Sequence, residues 1–123
     1  MASARRDPER RMNAVLLLGA ARDLEPADRR ERGYDRYRVD DGSLTRHGDG
    51  TPLELLGSAC LYVGKPDLYG RDVLPNPEYL RICLEGAREW GEDFYEDFLR
   101  TTFLCDGRTL EEFVEDRGSA ART

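Results

Sequence analysis

A chain of 123 residues, 39% hydrophobic and 36% charged, is about one domain long and has enough apolar material for a core without disulfide or metal staples. Its net charge of -6 argues against direct nucleic-acid binding, which depends on basic residues that neutralise phosphates. Residues 76–123 hold 12 acids against six bases, which is the whole of that excess.

Residues 1–6 are small and basic and are expected to be disordered. Asp7-Pro8 then reads as a cap followed by proline. The spacing of Met12, Val15, Leu16, Leu18 and Ala20 predicts a buried helix from about Pro8 to Leu24, weakened at Gly19. The stretch 13–21 also has the look of a short signal-peptide core. It leads into Arg22, Asp23 and Glu25 without a cleavage site, and no run is long enough to span a membrane, so no membrane partner is expected. The following EPADRRERG lacks an apolar period and reads as a solvated linker.

From Tyr34 the residue types change. Tyr37 and Val39 alternate ahead of Asp41-Gly42, a dipeptide suited to the tight turn of a short β-hairpin. RHGDG at 46–50 is a loop. Thr51-Pro52-Leu53-Glu54 combines a capping box with proline at the first helical position and predicts a helix from about Pro52 to Val63, with Leu53, Leu56, Ala59, Cys60 and Val63 facing a core. Residues 64–77 are rich in turn formers, yet Leu68, Tyr69, Val73 and Leu74 are expected to pack down.

The strongest helical pattern runs from Asn76 to Cys105. Asn76 is placed to cap the first turn and Pro77 to begin it. Tyr79, Leu80, Cys83, Leu84, Ala87 and Trp90 share a face, and Phe94, Tyr95, Phe98 and Leu99 continue the series beyond Gly91. Gly91 reads as either a kink or a break, and its helix penalty favours the break. A last helix opens at Thr109, with Glu112 as its capping-box partner, Leu110, Phe113 and Val114 as its anchors, and fraying from Gly118. These elements predict a mainly α, α+β domain over residues 7–117. About four or five helices surround one core beside a short β-hairpin. Leu56, Leu84, Trp90, Phe94 and Phe98 are expected in that core.

Gly57-Ser58-Ala59-Cys60 in its predicted helix, and Asp106-Gly107-Arg108-Thr109 with Glu111 and Glu112, set beside the order of segments, give the chain a resemblance. It is similar to a small uncharacterised protein family of actinobacteria and their phages. The resemblance implies no activity, because that family has none established.

Three cysteines without paired spacing read as reduced thiols in a cytoplasmic protein. Cys60 and Cys83 are expected to be buried and slow to react, with Cys105 quicker. Cys60, Cys83 and Cys105 with His47 lack the close pairs of a zinc site, and no glycine-rich stretch has a phosphate-loop context, so no metal or cofactor is expected. Two function classes remain. In one, His47 works with loop carboxylates such as Asp41 or Asp49 in a small hydrolase or transferase, which requires a concave pocket that joins them. In the other, Glu89, Glu92, Asp93, Glu96 and Asp97 form an acidic stripe, extended by Glu111, Glu112, Glu115 and Asp116, that steers a basic protein partner. Mimicry of DNA is the extreme form of this second class. It is the favoured one, because no convergent catalytic set is visible, and self-association of the chain is left open.

Overall fold

The computed structural model describes residues 7, 9–40, 42–65 and 74–122, with side chains through residue 118. Among these residues the fold is the expected mainly helical α+β: four α-helices, a short 3-10 turn and one two-stranded antiparallel sheet. The described residues divide into two compact units, a sheet unit within residues 15–65 and a helical unit that joins residues 7–14 to residues 74–122.

In the sheet unit a 3-10 turn, Ala21–Asp23, leads into α1, Leu24–Arg30. Both depart from the expected order, in which a helix ends at Leu24 and a linker follows. Residues 9–20 carry no helix. Asp7 caps only a local turn, accepting from Glu9 N–H at 3.0 Å. Val15 and Leu16 are partly exposed and Leu17 and Leu18 almost wholly so, and without burial the unfavourable nucleation of a helix is not offset. The charged stretch does the opposite. Its Leu, Ala, Glu and Arg are good helix formers, Pro26 falls in the first turn where its missing N–H costs nothing, and Arg29 and Arg30 suit the C-terminal dipole.

The sheet pairs β1, Tyr34–Val39, with β2, Ala59–Gly64, in a register from Tyr34 opposite Gly64 to Val39 opposite Ala59. A turn does form at residues 40–43, where Ser43 N–H donates to the Asp40 carbonyl at 3.1 Å and Gly42 takes φ 86°. It does not join paired strands, because β1 finds its partner 20 residues further on. The intervening chain folds back on itself instead, with an isolated bridge between Thr45 and Pro52 and with Gly48 and Gly50 at positive φ. The helix predicted over 52–63 is therefore overturned. Thr51 turns its N–H and hydroxyl to Asp49 at 2.9 and 2.8 Å in place of capping a helix, and ACLYV, rich in β-formers, lies in the ladder. An apolar run this short fits either period, and the complementary strand decides between them.

The helical unit follows the sequence closely. Asn76 accepts from the N–H groups of Glu78 and Tyr79 at 2.9 and 3.2 Å, and α2 runs Pro77–Arg88. Gly91, at φ 103°, breaks the series, and α3 runs Glu92–Thr101. A tight return over 102–110 follows, in which Leu110 N–H donates to the Thr102 carbonyl and Gly107 takes φ 89°. Thr109 Oγ1 then accepts from Glu112 N–H at 3.2 Å to open α4, Leu110–Arg122, which continues past Gly118. Leu80, Ala87, Tyr95, Leu99 and Leu110 are buried together, with Leu84, Phe94, Phe98, Leu104, Phe113 and Val114 packed around them.

Two residues expected in the core lie outside it. Trp90, in the turn after α2, is 61% exposed, and Leu56, in the loop before β2, is fully exposed. Each belongs to an apolar series that the backbone does not extend as a helix. Of the predicted loop at 64–77, residues 66–73 lie outside the described residues.

Candidate functional site

The acidic residues singled out by the sequence lie mainly on α3. Glu92 and Asp93 occupy its first turn, where carboxylates complement the helix dipole. With Phe94, Tyr95, Phe98 and Leu99 turned inward, Glu92, Asp93 and Glu96 are exposed and Asp97 is half-buried. Glu89 is separated from them. It stands at the C-cap of α2, and the break at Gly91 takes it out of the α3 register. On α4, Leu110, Phe113 and Val114 face the core, which leaves Glu112, Glu115 and Asp116 exposed and Glu111 half-buried.

Arg100 joins the two helices. Its Nε lies 3.3 Å from Glu111 Oε2 on α4, and its Nη2 lies 3.8 Å from Glu96 Oε2 one turn back on α3. Glu96 and Glu111 therefore flank one guanidinium, and the acidic sides of α3 and α4 meet at that seam. Among the described residues no ion pair engages Glu92, Asp93, Glu112 or Glu115.

Four further arginines of this unit sit over aromatic rings, while Arg81 pairs with Glu78 and Glu85 along α2. Arg88 lies 4.4 Å from the Tyr95 ring centre and donates to its hydroxyl at 3.1 Å. Arg10 lies 4.3 Å from Phe103, and Arg108 and Arg117 lie 5.2 and 5.8 Å from Phe113. Arg108 also bridges Asp106 and Asp116 at 2.8 and 3.2 Å, and its guanidinium beside Asp106 holds that carboxyl below the usual carboxylate range. Stacking of this kind covers the ring face with the cation and draws positive charge toward the edges of the core. This arrangement is not among the expectations from sequence, although Arg108 and Arg117, five before and four after Phe113, carry its signal.

The loop that carries His47 is built by its neighbours. Asp49 accepts from Thr51 N–H and Oγ1–H, and these hydrogen bonds, with Arg46 at 4.0 Å, hold its carboxyl below the usual range. A carboxylate so engaged and so acidic staples a turn better than it accepts a proton. Asp41 lies outside the described residues. An open hollow of about 520 Å³ does occur in the sheet unit, lined by Val39, Leu44, Leu53, Leu55 and Leu56 with Arg38, Asp40 and Glu54. Neither His47 nor Asp49 lines it.

The thiols correct two expectations. Cys60 is exposed, because it stands on a strand of a sheet rather than on the core face of a helix, and Cys83 is only half-buried at the edge of the α2 apolar face. Cys105, in the return before α4, is exposed. Among the described residues no three metal-binding side chains cluster, and no helix is long and apolar enough to cross a membrane. No family model, curated protein or solved structure matches the chain.

Proposed function

We propose that this chain is a cytoplasmic, non-enzymatic binding protein that engages a basic protein surface through the acidic sides of α3 and α4. The observation that supports the reading is the distribution of charge in the helical unit. Carboxylates of two helices meet at Arg100, while Arg10, Arg88, Arg108 and Arg117 are drawn onto aromatic rings. Like charges at three- and four-residue steps along α3 repel, at a cost of about 0.2–0.5 kcal/mol per pair, and a cationic partner would relieve that cost. Such a field acts mainly on the rate of association, by steering the encounter. The resemblance to an actinobacterial and phage family is in keeping with an accessory role on a phage or mobile element.

The test uses an oligo-arginine peptide as the probe and the fluorescence of Trp90, exposed between α2 and α3, as the reporter. The chain is expected to bind the peptide with an on-rate that falls as salt rises, and not to bind duplex DNA of the same length. Changing Glu92, Asp93, Glu96 and Asp97 to lysine should abolish that dependence while the far-UV spectrum is unchanged. An unchanged on-rate and salt slope in this variant would reduce the acidic sides to solvated helix faces.

A further inference from the structure

The two strands of the sheet differ in how their outer edges are guarded. β1 carries Asp35, Arg36 and Arg38, charges of the kind that keep an edge strand from recruiting another chain, whereas β2 carries no charge from Ala59 to Gly64. Lys65 N–H donates to the Gly33 carbonyl at 2.9 Å, so these two opposed residues form a hydrogen-bonded pair. Alternation along an antiparallel ladder then turns the N–H and C=O of Ala59, Leu61 and Val63 toward β1, and those of Cys60 and Tyr62 away from it. Among the described residues no backbone group outside the sheet bonds to this outer edge at Cys60 or Tyr62, and Cys60 is exposed.

We propose that the outer edge of β2 pairs with β2 of a second copy of the chain, making a four-stranded antiparallel sheet across a two-fold axis. That axis must stand perpendicular to the sheet, so it conserves faces, and only registers that set a residue opposite itself are allowed. With Leu61 opposite Leu61 of the second copy, Cys60 and Tyr62 of each copy meet Tyr62 and Cys60 of the other. Every outward N–H and C=O of these residues is then satisfied. Ala59 faces Val63 in the same register, and no charge is brought near another.

Charge decides between the two edges and points to a second copy as the occupant. Symmetric pairing of β1 would oppose Asp35 to Asp35, Arg36 to Arg36 or Arg36 to Arg38, all repulsive. β2 offers a foreign partner no charge to read, but it is chemically matched to itself. The sheet unit also has reason to extend. None of the five buried core side chains belongs to it, and a two-stranded ribbon alone is marginal in water.

Sedimentation equilibrium of the full chain should show its mass rising with concentration from 14.0 kDa to twice that value. Cys60→Pro removes an outward N–H without deleting a bond of the β1–β2 ladder, and should hold the chain at the single mass. If that variant does not fold by circular dichroism, cross-linking decides. In a chain with Cys60, Cys83 and Cys105 changed to serine, Leu61→Cys puts two thiols opposite each other at a non-hydrogen-bonded pair. Their Cα separation is then about 4.5 Å, within the span of a disulfide. It should oxidise to a covalent dimer, and Val63→Cys in the same background should not. A chain that stays at the single mass throughout, a dimer that survives in folded Cys60→Pro, or equal cross-linking through Leu61→Cys and Val63→Cys would each overturn the proposal.

Discussion

The helical unit and the sheet unit differ in what holds them. In the helical unit Leu80, Ala87, Tyr95, Leu99 and Leu110 are buried in one cluster, and the polar contacts, from the Asn76 cap to the arginines on their rings, lie around it. In the sheet unit no apolar side chain is fully buried among the described residues, and its fixed points are polar. They are the β1–β2 ladder, the Asp49–Thr51 turn, and Asp28 of α1, which takes the Tyr62 hydroxyl at 2.6 Å and lies 3.6 Å from Arg36. Burial of a leucine contributes about 1.5–3 kcal/mol, whereas an ordinary hydrogen bond nets about 0.5–1.5. Most of the stability should therefore reside in α2–α4.

The largest test of that contrast is Leu110→Ala. Leu110 is 2% exposed and begins α4 where the return over 102–110 closes on the core. Its truncation is expected to cost about 2–5 kcal/mol, measured by urea unfolding followed by Trp90 fluorescence. Phe98→Ala should fall at or below the lower end of the about 3–5 kcal/mol that truncating a core phenylalanine costs, because Phe98, expected in the core, is only half-buried. If Leu110→Ala shifts the midpoint no more than a surface substitution does, the cluster around Leu110 is not the centre of the unit.

A smaller effect is expected at Gly91. Its φ of 103° separates α2 from α3, and nothing lies within 4 Å of the place a Cβ would take. Any loss in Gly91→Ala is then conformational, because φ 103° with ψ 163° is a region essentially reserved for glycine, and amounts to about 1–3 kcal/mol by the same unfolding measurement. An unchanged or raised stability would mean that α2 and α3 can run on as one helix in solution.

Thiol chemistry sharpens the comparison further. Cys60 in the sheet unit and Cys105 in the return are exposed and should react with a thiol reagent in the native chain, ahead of half-buried Cys83. Peptide mapping after a short pulse reads the order directly. Labelling of Cys83 first would show that α2 loosens more readily than β2.

The same contrast accounts for how much could be read in advance. The helical unit announces itself because each local signal agrees with the packing: the Asn76-Pro77 cap, the break at Gly91, the Thr109 cap, and apolar residues at three- and four-residue steps. In the sheet unit local and tertiary signals conflict. Thr51-Pro52-Leu53-Glu54 is a good helix start, but Thr51 is held by Asp49, and the apolar run after it is matched across the ladder by residues 34–39, far away in sequence. Val15–Leu18 has a helical pattern but no surface to bury it, so the period is present without the energy. The acidic residues of α3 and α4 were visible because charge needs no partner to be counted. Arg100 as their seam, and the arginines over Phe103, Tyr95 and Phe113, depend on which helices touch, and a single sequence does not supply that.

The finest test concerns the hydrogen bond between Tyr62 of the sheet and Asp28 of α1. Tyr62 donates to Asp28, and this bond, with desolvation and the negative charge of Asp28, pushes the phenol up to about 12 from its ordinary 10.0. Because the folded value lies above the unfolded one, the stabilisation is complete below pH 10, where tyrosine is protonated in both states, and is lost as pH rises through about 12. Tyrosinate absorbance should therefore contain a late component that disappears in Tyr62→Phe and moves back toward the ordinary range in Asp28→Asn. Ellipticity followed in parallel would show whether the sheet survives to that pH. If all six tyrosines ionise together near the ordinary value while the ellipticity is still native, Asp28 does not hold Tyr62 in solution. The sheet unit would then rest on its ladder, its turns and the Asp28–Arg36 ion pair.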